Sequence, residues 1–258
     1  MLVSTDKLHG MLGDPRLVVI DARSYQDYSK SHIPGSVNLD LFAFHWADTT
    51  PEGICHFERQ ASMILSFAGV SEQKQLVFYD DVSGMLAARG VWISQYLSHP
   101  DTSMLDGGMK KWQAEGLPVE SGTNPFCPAR FPARPDSGII AGYEYIRENL
   151  EKLVLVDARS TAEYDGTVIR AARAGHIPGA INIDWNLNLN PDGTFRPDSE
   201  LQELYKFRSD AKIITYCQGA YRAANAYLAL KKAGFKDVRV YLGSWGEWGN
   251  LDLPVSRD

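Results

Sequence analysis

The sequence predicts an α/β protein of two tandem domains, each a mostly parallel sheet flanked by helices. Three observations carry this: the chain nearly repeats itself, short β-rich runs alternate with helix-period segments, and a Pro/Gly-rich stretch separates the copies. RLVVIDARSYQDYSKSHIP (16–34) is echoed by KLVLVDARSTAEYDGTVIRAARAGHIP (152–178), with Asp21, Arg23 and Tyr28 matching Asp157, Arg159 and Tyr164 at one offset. The second copy then carries eight extra residues before its HIPG. Downstream, LVFYD ending at Asp80 matches IITYC ending at Cys217. SMLDGGMKKWQAEGLPV (103–119) matches VYLGSWGEWGNLDLPV (240–255), pairing Trp112 with Trp248 and Pro118 with Pro254. A period this long marks a duplicated domain and not a solenoid.

In chain order, runs 17–20 and 76–79 predict strands of the first copy, and runs 153–156, 213–216 and 238–241 strands of the second. Helix-period segments at 86–97 and 220–233 follow, and Gly234 stands where a glycine ends a helix. The expected organisation is a first domain over 1–120, a linker over 121–138 and a second domain over 139–258. VESGTNPFCPARFPARPDSG (119–138) is too rich in proline for a helix or a central strand.

The 258 residues carry a net charge of −6 with both signs interspersed, against the basic excess of a general nucleic-acid binder. MLVSTDKLHG lacks the pattern of a signal peptide, and no apolar run approaches a membrane span. Cys55, Cys127 and Cys217 show neither metal-like nor disulfide-framework spacing, so a reducing, cytoplasmic setting is expected.

Cys217 falls where a strand ends, a short loop turns and a helix begins. In open α/β sheets ligands bind beyond the carboxyl ends of strands, near helix N-termini. The backbone N–H groups of Gln218, Gly219, Ala220, Tyr221 and Arg222 are expected to form a cradle that favours negative charge on sulfur, with Gly219 and Ala220 allowing the tight turn. The first copy is an internal control. YDDVSGMLAAR has Asp80 at the cysteine position, Asp81 beside it, and Met85 where Arg222 stands. Nucleophile and cation are both missing, and two carboxylates are expected to repel an anionic substrate. The fold therefore does not demand the cysteine.

Tandem D-x-R, HIPG, Tyr-Cys-loop-Arg and GSWGEW together resemble the rhodanese family of sulfurtransferases in its two-domain form, with an inactive N-terminal domain. The resemblance spans nearly the whole chain. It implies that Cys217 takes a sulfane sulfur from a donor as a persulfide and passes it to cyanide or a thiol, whether a small molecule or a thioredoxin-like protein. No metal or organic cofactor and no nucleic-acid or membrane partner is implied. Related phosphatases have five residues between Cys and Arg, and here there are four, a cradle suited to one sulfur atom. CQGAYR resembles the C-Q-x-x-x-R loops of some bacterial thiosulfate enzymes. It departs from the C-R-K-G-V-T loop of vertebrate ones and from the C-G-[SA]-G-V-T loop of 3-mercaptopyruvate sulfurtransferases. Those two groups tend to carry arginine where this chain has Glu163, and a carboxylate there is expected to disfavour the mercaptopyruvate carboxylate unless Arg170 or Arg173 replaces the missing cation. Thiosulfate is the favoured donor, with 3-mercaptopyruvate and a persulfide carrier for a protein partner as alternatives.

Arg170 and Arg173 lie in the eight-residue insertion, and one of them is expected to reach over Cys217 to the sulfonate end of thiosulfate; Arg222 is the other candidate for that contact. Asp157 is expected to help orient the active loop from behind. His32 and His176 occur in both copies and are read as parts of a structural turn. Trp245 and Trp248 read as core, Glu247 as a residue tying down its turn, and Cys55 and Cys127, in a loop region and the linker, as bystanders.

Overall fold

The computed structural model describes residues 1–257. It contains two compact units, one formed by Met1–His45, His56–Asp136 and Leu189–Phe195, the other by Trp46–Cys55, Ser137–Asn188 and Arg196–Asp258. These units depart from the contiguous division expected above. Residues 46–55 cluster with the second unit, 189–195 with the first, and most of the proline-rich stretch belongs to the first. The last of these has a direct cause: up to Asp136 the stretch carries no helix or strand, yet Ala129, Arg134 and Asp136 donate backbone hydrogen bonds to Ser66, Leu97 and Tyr96 at 2.7–3.1 Å, and Phe131 is buried.

The first unit has strands β1 (Leu2–Val3), β2 (Leu17–Asp21), β3 (Val37–Asn38), β4 (Gln75–Tyr79) and β5 (Thr102–Leu105). They form a wholly parallel sheet in the order β1-β5-β4-β2-β3. Its helices are α1 (Thr5–Met11), α2 (Tyr25–Lys30), α3 (Pro51–Phe67, of which the residues from His56 on belong to this unit), α4 (Met85–Tyr96) and α5 (Gly108–Ala114). α3 was not anticipated, and it places Cys55 on a helix and not in a loop.

In the second unit, β6 (Ile140–Ala141), β7 (Val154–Asp157), β8 (Ile181–Asn182), β9 (Ile213–Tyr216) and β10 (Val238–Tyr241) repeat the plan, parallel and in the order β6-β10-β9-β7-β8. The helices are α6 (Tyr143–Asn149), α7 (Thr161–Tyr164), α8 (Asp198–Leu204), α9 (Tyr221–Lys232) and α10 (Ser244–Trp248). Parallel strands covered on both faces read as continuous apolar runs, which is why β9 is IITY with all four residues buried. Ile214 and Tyr216 enter a core with Leu155, Ile177, Tyr241 and Trp248. Ile213 and Thr215 face the other way, and Thr215 Oγ1 donates to the Ala223 carbonyl of α9 at 2.9 Å. The first unit mirrors this core with Val19, Ile33, Val77, Tyr79 and Trp112.

The repeated motifs explain themselves as braces. In each unit the D-x-R pair is a buried ion pair, Arg23–Asp21 at 2.6 Å and Arg159–Asp157 at 2.5 Å, with the arginine also donating to the Ser31 or Gly175 carbonyl. Each HIPG histidine stacks on its tyrosine, with ring centroids 4.0 Å apart for His32–Tyr28 and 3.7 Å for His176–Tyr164. Trp112 and Trp248 are fully buried, their indole N–H groups donating to the carbonyls of Pro118 and Pro254. Among the described residues no helix is long and apolar enough to cross a membrane.

Candidate active site

Cys217 follows directly on β9, the middle strand of its sheet, and is 1% exposed. Its backbone N–H donates to Ser244 Oγ at 3.2 Å, and that hydroxyl donates to the Tyr241 carbonyl at 2.8 Å. The carbonyls of Cys217 and Gln218 accept from the amides of Trp245 and Gly246 at 2.8 Å each. The start of α10 therefore takes up the oxygen ends of the first two loop peptides. Ser244 is not marked by residue type; in the repeat it pairs with Gly108, and the structure puts both at positive φ, 53° and 59°. The residue that turns the loop into α9 is Ala220, with φ 64°, and not Gly219. A left-handed alanine costs roughly 1–2 kcal/mol, strain of the kind that gathers at functional sites.

The first unit shows what this loop geometry holds. Asp80 is buried and turns its carboxylate back under its own helix. It accepts from the Gly84 amide at 3.0 Å and from Leu86 and Ala87 at 2.9 and 3.1 Å. Those are orphan donors of a helix N-terminus, which favour an anion. Burial pushes the Asp80 carboxyl up to about 6, against the pull of the three amides. A Cβ at Gly84 would stand 2.5 Å from the carboxylate, so glycine is required there. The two carboxylates were expected to repel an anionic substrate; Asp80 is instead turned onto these amides, and only Asp81 is exposed, 3.7 Å from Arg23. The pairing of Met85 with Arg222 is likewise corrected. α4 begins at Met85 and α9 at Tyr221, so Arg222 aligns with Leu86, and the first unit's loop is one residue longer.

Arg222 lies in the first turn of α9 and is largely buried. Its Nη1 and Nη2 donate to Glu163 Oε2 and Oε1 at 2.6 and 3.0 Å, a two-pronged ion pair. Burial opposes the Arg222 charge, but the Glu163 hydrogen bonds and the neighbouring Cys217 sulfur outweigh it and raise its pKa. Glu163, 4% exposed, is pushed up by burial, yet Arg222 holds its carboxyl down at about 2. It also closes a capping box on Ser160 at the start of α7. Arg170 Nε stands 3.3 Å from Glu163 Oε1 with its side chain 59% exposed. Gln218 Nε2 donates to the Arg170 carbonyl at 3.0 Å, so the insertion lies against the loop that follows Cys217.

Arg173 is placed differently. Its guanidinium donates to the carbonyls of Trp248 at 2.8 Å, Leu253 at 2.5 Å, Gly249 at 3.4 Å and also Leu251. It fastens the insertion to the end of α10 and does not face the loop, unlike the donor contact expected of it. Asp157 is occupied by Arg159, whose guanidinium lies 4.7 Å from the Trp245 ring centre. Glu247 accepts from Tyr241 Oη and from both the amide and hydroxyl of Thr49 at 2.6–2.7 Å, reaching further than its own turn.

A family model described as a rhodanese-like domain matches residues 4–115 and again 143–251. The chain is 34% identical to the sulfur carrier protein TtuD of Thermus thermophilus, covering 100% of this chain and 96% of that one. It is 30% identical to a thiosulfate sulfurtransferase of Pseudomonas aeruginosa, covering 99% and 96%. Among solved structures, the 3-mercaptopyruvate sulfurtransferase SseA of Escherichia coli matches with a TM-score of 0.80 at 27% identity, covering 95% and 99%. An anaerobic ergothioneine biosynthesis enzyme from Chlorobium limicola matches with a TM-score of 0.87 at 23% identity, covering 99% and 69%, a likeness of fold.

Proposed function

The chain belongs to the rhodanese family of sulfurtransferases, and on that premise we propose that it moves a sulfane sulfur from thiosulfate to cyanide or another thiophilic acceptor through a persulfide on Cys217. The Cys217 thiolate attacks the outer sulfur of thiosulfate. The donor's S–S bond breaks, and its electron pair leaves with sulfite. Cyanide then attacks the terminal sulfur of the persulfide, thiocyanate departs, and the electron pair of the second S–S bond restores the thiolate.

The observation that carries this reading is the Asp80 carboxylate on three amides. The duplicated loop holds an anion where its strand ends, and in the second unit the group at that place is a thiol. Thiolate, persulfide and departing anion all benefit from such donors. The four-residue spacing to Arg222 favours sulfur over phosphate chemistry, and the sequence CQGAYR with Glu163 favours thiosulfate as donor. Arg170, exposed at the rim, is the cation proposed to meet the sulfonate end. A carrier that hands its persulfide to a protein partner is the second reading, favoured by the 34% identity to a sulfur carrier.

Intact mass after thiosulfate exposure tests the scheme. A gain of about 32 Da, lost on adding cyanide and absent in Cys217→Ser, is expected for a single persulfide. No gain with thiosulfate but a gain with 3-mercaptopyruvate overturns the donor. A persulfide that cyanide releases only slowly, at no steady-state turnover, favours the carrier.

A further inference from the structure

Glu163 has a place in the site that its residue type alone does not reveal. The carboxylate is 4% exposed, receives both prongs of Arg222 and lies 3.3 Å from Arg170 Nε. One carboxylate thus stands against two guanidinium groups beside Cys217. The remaining charged pair nearby, Arg159 with Asp157, is closed on itself. The silent unit again serves as control. There Ser24 caps α2 as Ser160 caps α7, but the carboxylate at the Glu163 position is Asp27, 55% exposed and 3.7 Å from Lys30. Leu86 occupies the place of Arg222. The buried Glu–Arg pair is present in the unit that has the cysteine and absent from the one that lacks it.

We propose that Glu163 is a positioning and charge-setting residue: it fixes Arg222 beside Cys217, cancels most of that arginine's attraction for free anions, and leaves Arg170 as the cation an anionic sulfur donor meets. The role of Cys217 in sulfur transfer, on which this rests, is the reading given above. Two unopposed arginines would hold the donor and the departing sulfite tightly. With Arg222 already paired, anions bind through one exposed side chain, Arg170, and leave readily. The carboxylate noted in the sequence as an obstacle to mercaptopyruvate acts here by neutralising a neighbour.

The test reads local charge without needing the donor's identity. Cys217 is alkylated in the full-length protein with iodoacetate (anionic) and with iodoacetamide (neutral). Peptide mass spectrometry follows Cys217 apart from the free thiols Cys55 and Cys127. The ratio of the two rates is expected to rise about fivefold in Glu163→Gln, the scale of one added net charge beside a partly buried site. It is expected to fall about threefold in Arg170→Met, whose exposed side chain carries no folding risk. Steady-state thiosulfate kinetics of Glu163→Gln should show KM and kcat both lowered, tighter binding with slower release and a less well held Arg222. A merely structural ion pair would lower the melting temperature and leave the reagent ratio and the KM–kcat split unmoved. An unchanged ratio in Glu163→Gln, or in Arg170→Met, overturns the proposal. If thiosulfate gives no turnover at all while both ratios move as stated, the donor assignment fails and the charge assignment stands.

Discussion

Arg173 offers the sharpest test of how far geometry outweighs sequence position. Arg173→Met keeps an aliphatic stem and removes a guanidinium that serves four carbonyls around the end of α10. A hydrogen bond to a charged group contributes roughly 1.5–3 kcal/mol when the partner cannot reach water. Arg173 is half-buried and the freed carbonyls are partly reachable, so the four do not add. A net loss of about 3 kcal/mol is expected, large for a single substitution but typical of a buried network. At roughly 2–4 °C per kcal/mol for a chain of this size, the transition of the second unit should fall by about 6–12 °C. Arg173→Lys should recover less than half of this, because a point-charge ammonium cannot serve four divergent acceptors. Differential scanning calorimetry gives the transition, and initial rates on the same preparations give the thiosulfate KM below it. A KM within about twofold of wild type is expected, since the side chain faces backbone and not the loop. A transition within 2 °C of wild type together with a severalfold higher KM would refute the reasoning.

Two further outcomes follow from titration. Glu163 has its folded pKa lowered from 4.5 to about 2, so its contribution is complete above pH 4.5 and is lost as pH falls through 2. The contribution amounts to about 3 kcal/mol at neutral pH, and acid-denaturation curves of Glu163→Gln should lack the corresponding loss below pH 4.5. Asp80 has the opposite sign: its folded pKa is raised from 3.8 to about 6, so its contribution falls as pH rises through 6. Asp80→Ala should cost about 1 kcal/mol more at pH 5 than at pH 8 by urea titration of the first unit, with the persulfide on Cys217 still forming; a cost independent of pH would count against this.

What the sequence disclosed and what it hid divide along the duplication. β2, β4, β7 and β9 were legible because their runs are largely apolar and each has a twin, and β10 because Val238 and Val240 alternate with Arg239. β1, β3, β6 and β8 are two residues long, too short to show any period. The seventeen-residue α3 repeats Ile54, Phe57, Ala61 and Leu65 at helical spacing, but it has no counterpart of its length in the second copy. The exchange of residues 46–55 and 189–195 between the compact units could not be read at all, since it depends on contacts far apart in the chain. At the candidate site, the placement of Cys217 and Arg222 between a strand end and a helix start was legible from the strand–loop–helix pattern, whereas the partners of Arg222 and Arg173 were not. An arginine's sequence position fixes where its stem begins and leaves some 7 Å of reach undetermined.

The comparison of the two loops narrows what separates the copy with the cysteine from the copy without it. Replacing Asp80 by cysteine alone would put a thiol at the end of β4, but three other differences remain. The loop is one residue longer, Leu86 stands where the second unit has Arg222, and Asp27 is short and exposed where Glu163 is long and buried. Nor is the silent loop vacant: Asp80 already occupies its amides with a covalently attached anion. A fixed carboxylate there caps α4 as a persulfide would cap α9 on the proposed scheme, so the first unit retains the anion of the arrangement without the exchangeable sulfur. On the proposed scheme the second unit needs an anion that can be made, extended by one sulfur and unmade at the same helix terminus, and the neighbouring Glu163–Arg222 ion pair would keep the surrounding positive charge low enough for products to leave.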